Sequence, residues 1–106
     1  VSTESDAGSF DARMDEFLNY IRYQPEDSMI VVSHSYFIRA LFKDYTHHHA
    51  LDQTASLPSM RYGDKYRVAD LGHLKIKNCG VVAINLDFST ETPVMGAKLL
   101  FGSRLE

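Results

Sequence analysis

One short stretch constrains the fold of this chain more than any other: an apolar run that ends at a histidine and is followed at once by a helical pattern. The apolar run covers residues 29–32, and Ser33 and His34 follow it. A continuous apolar run of this length is typical of a strand buried on both faces, as in a parallel sheet flanked by helices. The sequence therefore predicts a strand at 29–33 and an α/β fold.

Two segments on either side of this run have the spacing of amphipathic helices. Apolar residues in 10–22 recur at helical intervals, which predicts a helix with Ser9 or Asp6 as its N-cap. A second helical pattern extends over about 35–45. The order helix, strand, helix supports the α/β assignment.

The second half of the chain contains a long loop and several strand-like segments. Residues 46–64 show no periodicity and predict a surface loop, the one candidate in this chain for an element of substrate specificity. Residues 66–77 predict an irregular strand, and the alternation within 80–88 predicts a regular one. After a turn, 97–101 is expected to pair back as an edge strand.

Composition excludes several classes of protein. The chain has 106 residues, so we expect one domain at most. Its net charge of −3 indicates neither a nucleic-acid nor a membrane partner. A single cysteine, Cys79, excludes an internal disulfide and is compatible with a cytoplasmic location; we expect it to be a small buried residue. The polar start at Val1, without Met, indicates a portion of a longer protein.

The position of His34 predicts a phosphate site. Open α/β folds bind ligands at the carboxyl ends of their strands, and a helix that begins there directs its positive end toward an anion. An imidazole titrates near neutral pH and exchanges hydrogen bonds with phosphoryl oxygens. We expect the side chain of His34 and the backbone N–H groups of Ser35 and Tyr36 to bind phosphate. The alternative is a strand-end histidine that only satisfies a structural hydrogen bond.

Several segments around this element resemble one known family. They are Glu4, Ser5, Phe10, Arg13, 17–18, Ile21, 30–35, 37–42, and Asn78 with Cys79 ahead of 81–87. Together they resemble the C-terminal half of the histidine phosphatase superfamily, with the phosphoglycerate mutase-like branch as the nearest match. The resemblance implies an α/β three-layer sandwich with a mostly parallel sheet. Residues 1–106 would then form the C-terminal portion of a single domain of this fold.

The resemblance also implies a mechanism. In this family the histidine of an Arg-His-Gly motif attacks a phosphate monoester and becomes a phosphohistidine. Two arginines and a second histidine hold the phosphoryl group, and an acidic residue protonates the leaving group. His34 aligns with the second histidine, so the resemblance assigns it a catalytic role and places Ser35 and Tyr36 at the phosphate. The implied enzyme is a phosphatase or phosphomutase that acts on a phosphorylated small molecule and needs no cofactor.

The chain departs from the family pattern in two ways. Arg-His-Gly does not occur in the sequence, and Tyr36 stands where the family often has glycine. The chain alone is therefore expected to be inactive and to need the missing N-terminal half or a second chain, with a homodimer as one form of the latter. The alternative function is a non-catalytic module that binds a phosphorylated ligand or a protein.

Two other polar features receive structural interpretations. His47, His48 and His49 are consecutive and lie in the predicted loop, so they are interpreted as solvated residues rather than as a metal site. Arg39, in the second helix, is expected to pack or to form a surface ion pair rather than to bind phosphate.

Overall fold

The computed structural model describes residues 3–57 and 66–106, with the backbone alone for 3–10, and the chain divides into two units, Val1–Val31 and Val32–Glu106. The first unit contains helix α1, Thr3–Arg22. This confirms the helix predicted at 10–22, but Ser9 and Asp6 lie inside it and are not its N-cap. No proline interrupts the preceding residues, and a single internal glycine costs only about 1 kcal/mol, so the helix extends toward the N-terminus.

Helix α1 buries one face and then ends before a proline. Met14 and Leu18, one turn apart, are buried, whereas Tyr20 is exposed. Proline disfavours helical backbone in the residue before it, and Pro25 therefore prevents continuation beyond Gln24.

The strand predicted at 29–33 does not form. These residues belong to no strand or bridge in the described part of the chain, and Ile30 and Val32 are 95% and 94% exposed. A strand buried on both faces needs a neighbour to hydrogen-bond with and layers to cover it. The described residues provide no pairing strand for this segment, so its apolar sequence is not enough to make it a strand.

The second unit starts with helix α2, Ser35–Tyr45, as the sequence predicts. Leu41 and Phe42 are its buried residues, and the helix packs against a 3₁₀ helix at Val68–Gly72. The approach is close at Gly72, where a Cβ atom would lie 3.0 Å from Cα of Lys43. Glycine at this position allows the two backbones to pack together.

The unit also contains an antiparallel hairpin of β1, Val81–Leu86, and β2, Val94–Leu100. Its register pairs Val81 with Leu100, with an irregularity at Asn85 and Leu86. The hairpin confirms the strand predicted at 80–88 and the return strand predicted at 97–101, although β2 begins earlier. The backbone N–H of Leu99 also donates to the carbonyl of Ala55, at 2.8 Å.

The core of this unit is formed by apolar residues from α2, the two 3₁₀ helices, β2, the C-terminus and the connecting segments at 55 and 76. They are Leu41, Phe42, Ala50, Ala55, Val68, Leu71, Ile76, Val94, Ala97, Leu99 and Leu105. Residues 58–64 of the predicted long loop lie outside the described residues, but its earlier part forms a 3₁₀ helix at His48–Ala50.

The predicted fold class is wrong. The described residues form two α-helices and a two-stranded antiparallel sheet, not a three-layer sandwich with a mostly parallel sheet. Parallel pairing occurs at one isolated bridge, between Thr46 and Val94. A parallel sheet requires strands joined by crossover connections, whereas the two strands present here are consecutive and joined by a short turn.

Two smaller predictions are also wrong. The strand predicted within 66–77 is mostly the 3₁₀ helix Val68–Gly72, with isolated bridges at Arg67 and Ile76. Cys79 is exposed rather than buried and has a φ of 65°. It occupies a tight turn that is closed by a 2.9 Å bond from the N–H of Gly80 to the carbonyl of Lys77. The turn directs the thiol toward solvent.

Candidate functional site

His34 is the N-cap residue of helix α2. Its backbone is extended, with φ −83° and ψ 150°, and its carbonyl accepts the N–H of Ile38 at 3.1 Å. The imidazole makes no capping hydrogen bond and is exposed. An N-cap side chain usually bonds to the first turn of its own helix. The ring of His34 is not used in this way and can reach a ligand.

The electrostatic character of this helix end favours an anion. Helix α2 has 11 residues, no acidic side chain in its first turn and Lys43 in its last turn. The aligned peptide dipoles place partial positive charge at the start of a helix, where N–H groups point outward along the axis. With no carboxylate in the first turn, that partial charge is not neutralised from within the helix.

The other two predicted phosphate ligands begin the same helix. Ser35 is half-buried and is the first helical residue, while Tyr36 is 61% exposed. The guanidinium carbon of Arg39 lies 5.4 Å from the centroid of the Tyr36 ring, which is a cation–π arrangement. Arg39, one turn of helix further along, therefore packs on Tyr36 and adds a positive charge in the first half of α2. His34, Ser35 and Tyr36 thus stand at the start of one helix, and phosphate binding by them stays a prediction.

A cluster of three histidines follows the other end of α2, a helix roughly 16 Å long at 1.5 Å per residue. The ring centroids of His47 and His48 are 4.4 Å apart, those of His47 and His49 are 5.0 Å apart, and those of His48 and His49 are 4.0 Å apart. Nδ1 of His47 accepts the backbone N–H of His49 at 3.2 Å. The three rings therefore lie against one another, which the sequence analysis did not predict, while the exposure of His48 and His49 agrees with their interpretation as solvated residues.

Two pKa values, those of His48 and Asp87, are lowered for different reasons. The pKa of His48 is lowered below 6.5. The charge of the neighbouring His49 is the largest cause, followed by partial desolvation and then by the charge of His47. Hydrogen bonds from Ser89 are the main reason that the pKa of the Asp87 carboxyl is lowered, and interaction with His47 contributes. Asp87 is therefore a negative charge in the electrostatic neighbourhood of His47.

Comparisons with known proteins give no relative for this chain. No model of a protein family matches it, and no curated protein or solved structure matches it either.

Among the described residues, no helix is both long enough and apolar enough to cross a bilayer.

Proposed function

We propose that this chain is part of an enzyme of the histidine phosphatase type, which hydrolyses or transfers a phosphate monoester through a phosphohistidine. One observation carries the proposal: the imidazole of His34 is exposed at the N-cap of α2 and makes no capping bond. A histidine in that position binds the phosphoryl oxygens from one side, and the start of the helix binds them from another.

Each residue has a distinct role in this proposal. His34 donates a hydrogen bond to the phosphoryl group and stabilises the negative charge that develops during transfer. The backbone N–H groups of Ser35 and Tyr36 hold the same oxygens. Tyr36, with Arg39 over its ring, limits the space beside the phosphate and offers a surface on which a substrate stacks.

The nucleophile comes from outside these 106 residues. The sequence contains no Arg-His-Gly, and His34 in the proposed role holds the phosphoryl group but does not attack it. In this proposal a further chain segment or a second chain supplies the attacking histidine. We place the enzyme in the cytoplasm, with a phosphorylated small molecule as substrate.

Phosphatase turnover by the longer protein tests this proposal. With a generic aryl phosphate as substrate, His34→Ala is expected to lower kcat by about 10²–10³, the usual effect of removing one group that stabilises transition-state charge. His73→Ala is the matched control, because His73 is also exposed but lies after the 3₁₀ helix Val68–Gly72. Equal activity of the two variants would contradict the role of His34.

The same experiment separates the catalytic function from its alternative. A longer protein without turnover, but with phosphate binding that depends on His34, would be a non-catalytic phospho-ligand module. This second function is considered because the chain contains no Arg-His-Gly motif. An Arg-His-Gly sequence in the coding region upstream would favour the enzyme.

A further inference from the structure

The tract His47–His49 brings three ligating nitrogen atoms together on the surface. One ring nitrogen from each residue lies within 4.8 Å of the others. In a tetrahedral zinc site, Zn–N bonds of about 2.0–2.1 Å place the nitrogen atoms roughly 3.4 Å apart. The rings of His48 and His49 are stacked on that of His47, so the side chains must rotate until their in-plane lone pairs converge on one ion. We propose that His47, His48 and His49 form a binding site for a divalent transition-metal ion, with Zn²⁺ as the principal candidate.

The backbone of this tract is fixed by contacts that do not involve the imidazole rings. The N–H of His47 donates to the carbonyl of Val94 at 2.9 Å, and the N–H of Ala50 donates to the carbonyl of His47 at 2.8 Å. Ala50 is 1% exposed, and Thr46 forms a parallel bridge with Val94. The tract is thus attached to strand β2 and to the core. Its histidines are held close together before an ion binds, which lowers the conformational entropy lost on binding.

The hydrogen bond within the tract occupies the lone pair of one ring nitrogen of His47. Because Nδ1 of His47 accepts the N–H of His49, the neutral ring carries its proton on Nε2 and has its lone pair on Nδ1. Binding an ion through Nδ1 requires this bond to break. At 3.2 Å it is at the long end of the hydrogen-bond range and is exposed, so water replaces it readily.

Ligand type favours a transition metal over other cations. Imidazole suits Zn²⁺, Ni²⁺ and Cu²⁺, whereas Mg²⁺ and Ca²⁺ require oxygen ligands. Three histidines leave a fourth position of a tetrahedral ion for water or for a group from another molecule.

Calorimetric titration of the intact chain with Zn²⁺ tests this site, with Mg²⁺ as the comparison ion. We expect one Zn²⁺ per chain and no heat of binding from Mg²⁺. His48→Ala or His49→Ala is expected to weaken Zn²⁺ binding by at least about tenfold, since loss of even an outer-shell partner has an effect of that size. The double variant should not bind. Because these side chains are exposed, the circular dichroism spectrum should not change.

His73→Ala is again the control, because it removes one exposed histidine from outside the tract. It should leave Zn²⁺ affinity and stoichiometry unchanged. Binding that survives in the double variant, or that falls equally in His73→Ala, would overturn the proposed site and show adventitious attachment to surface histidines. The tract lies beyond the opposite end of α2 from His34, so this result is independent of the phosphate test.

Discussion

The segment 29–32 and strand β2 are both short and rich in large apolar residues, yet they have opposite exposures. Ile30 and Val32 are almost fully exposed, whereas Val94 and Leu99 are fully buried. Strand β2 is paired with β1 and is also bonded to the carbonyl of Ala55. Segment 29–32 pairs with no strand among the described residues. An apolar run thus measures a tendency toward burial, and the elements available to pair with it decide whether it becomes a strand.

Truncation of one residue in each region should show the largest difference. Leu99→Ala is expected to lower the free energy of unfolding by about 2–5 kcal/mol, because it removes a fully buried side chain and leaves a cavity. Val32→Ala should change it by no more than about 0.5 kcal/mol, as expected at an exposed site. Urea denaturation of the two variants measures both effects. Similar losses would mean that residue 32 is buried in solution.

A smaller effect is expected where α2 contacts the 3₁₀ helix Val68–Gly72. Gly72→Ala places a Cβ atom against the backbone of Lys43 and should destabilise the chain by about 1–3 kcal/mol. Gly96→Ala is the control, since its Cβ would have ordinary contacts, the nearest at 3.4 Å from Gln53 Oε1. The midpoints of thermal unfolding compare the two variants. Equal shifts would argue against close packing at Gly72.

A stabilising substitution is available in the turn after β2. Phe101 is 87% exposed and has a φ of 55°, and the N–H of Ser103 closes the turn on the carbonyl of Leu100 at 3.0 Å. Left-handed backbone costs most residues about 1–2 kcal/mol, and asparagine tolerates it better. Phe101→Asn should therefore raise the free energy of unfolding by about 1 kcal/mol. Phe101→Leu, which keeps the strain, should give no gain in the same urea titration.

The smallest expected effect is a change in one histidine titration. Protonated neighbours oppose protonation of His48, so its pKa should lie below 6.5 in an NMR titration of the ring protons. His49→Gln removes the largest cause and should raise the pKa of His48 back toward 6.5. His73→Ala should leave it unchanged. An unaltered pKa of His48 in His49→Gln would contradict the close approach of the two rings.

Sequence predicts the parts of this fold that depend on local spacing. Helix α2 and the β1–β2 hairpin follow from periodicity and from a turn, and the structure has both, although β2 begins three residues before the predicted position. The segments at 29–33 and 66–77 depended on partners elsewhere, and neither became the predicted strand. The prediction of a parallel sheet depended on a strand at 29–33. Because that strand does not form, the predicted sheet is wrong as well.

The two candidate sites also show that local sequence patterns predict only those features that depend on neighbouring residues. The placement of His34 at the start of α2 follows from residues next to it in the sequence, so it could be predicted. The backbone position of His47 depends on a hydrogen bond from its N–H to the carbonyl of Val94, which is distant in the sequence. No local sequence pattern predicts that contact. The three histidines were interpreted as solvated residues of a loop; His48 and His49 are exposed, but the tract is a 3₁₀ helix with its rings in contact, which the sequence analysis did not predict.

The central claim is that the imidazole of His34 and the start of α2 together bind a phosphoryl group. Titration of the ¹⁵N-labelled chain with inorganic phosphate tests it most directly. We predict saturable shifts of the backbone amides of Ser35 and Tyr36, with affinity roughly in the millimolar range for a partial site, and loss of these shifts in His34→Ala but not in His73→Ala. Amides at the start of α2 that do not respond to phosphate, or that respond equally in the two variants, would contradict the claim.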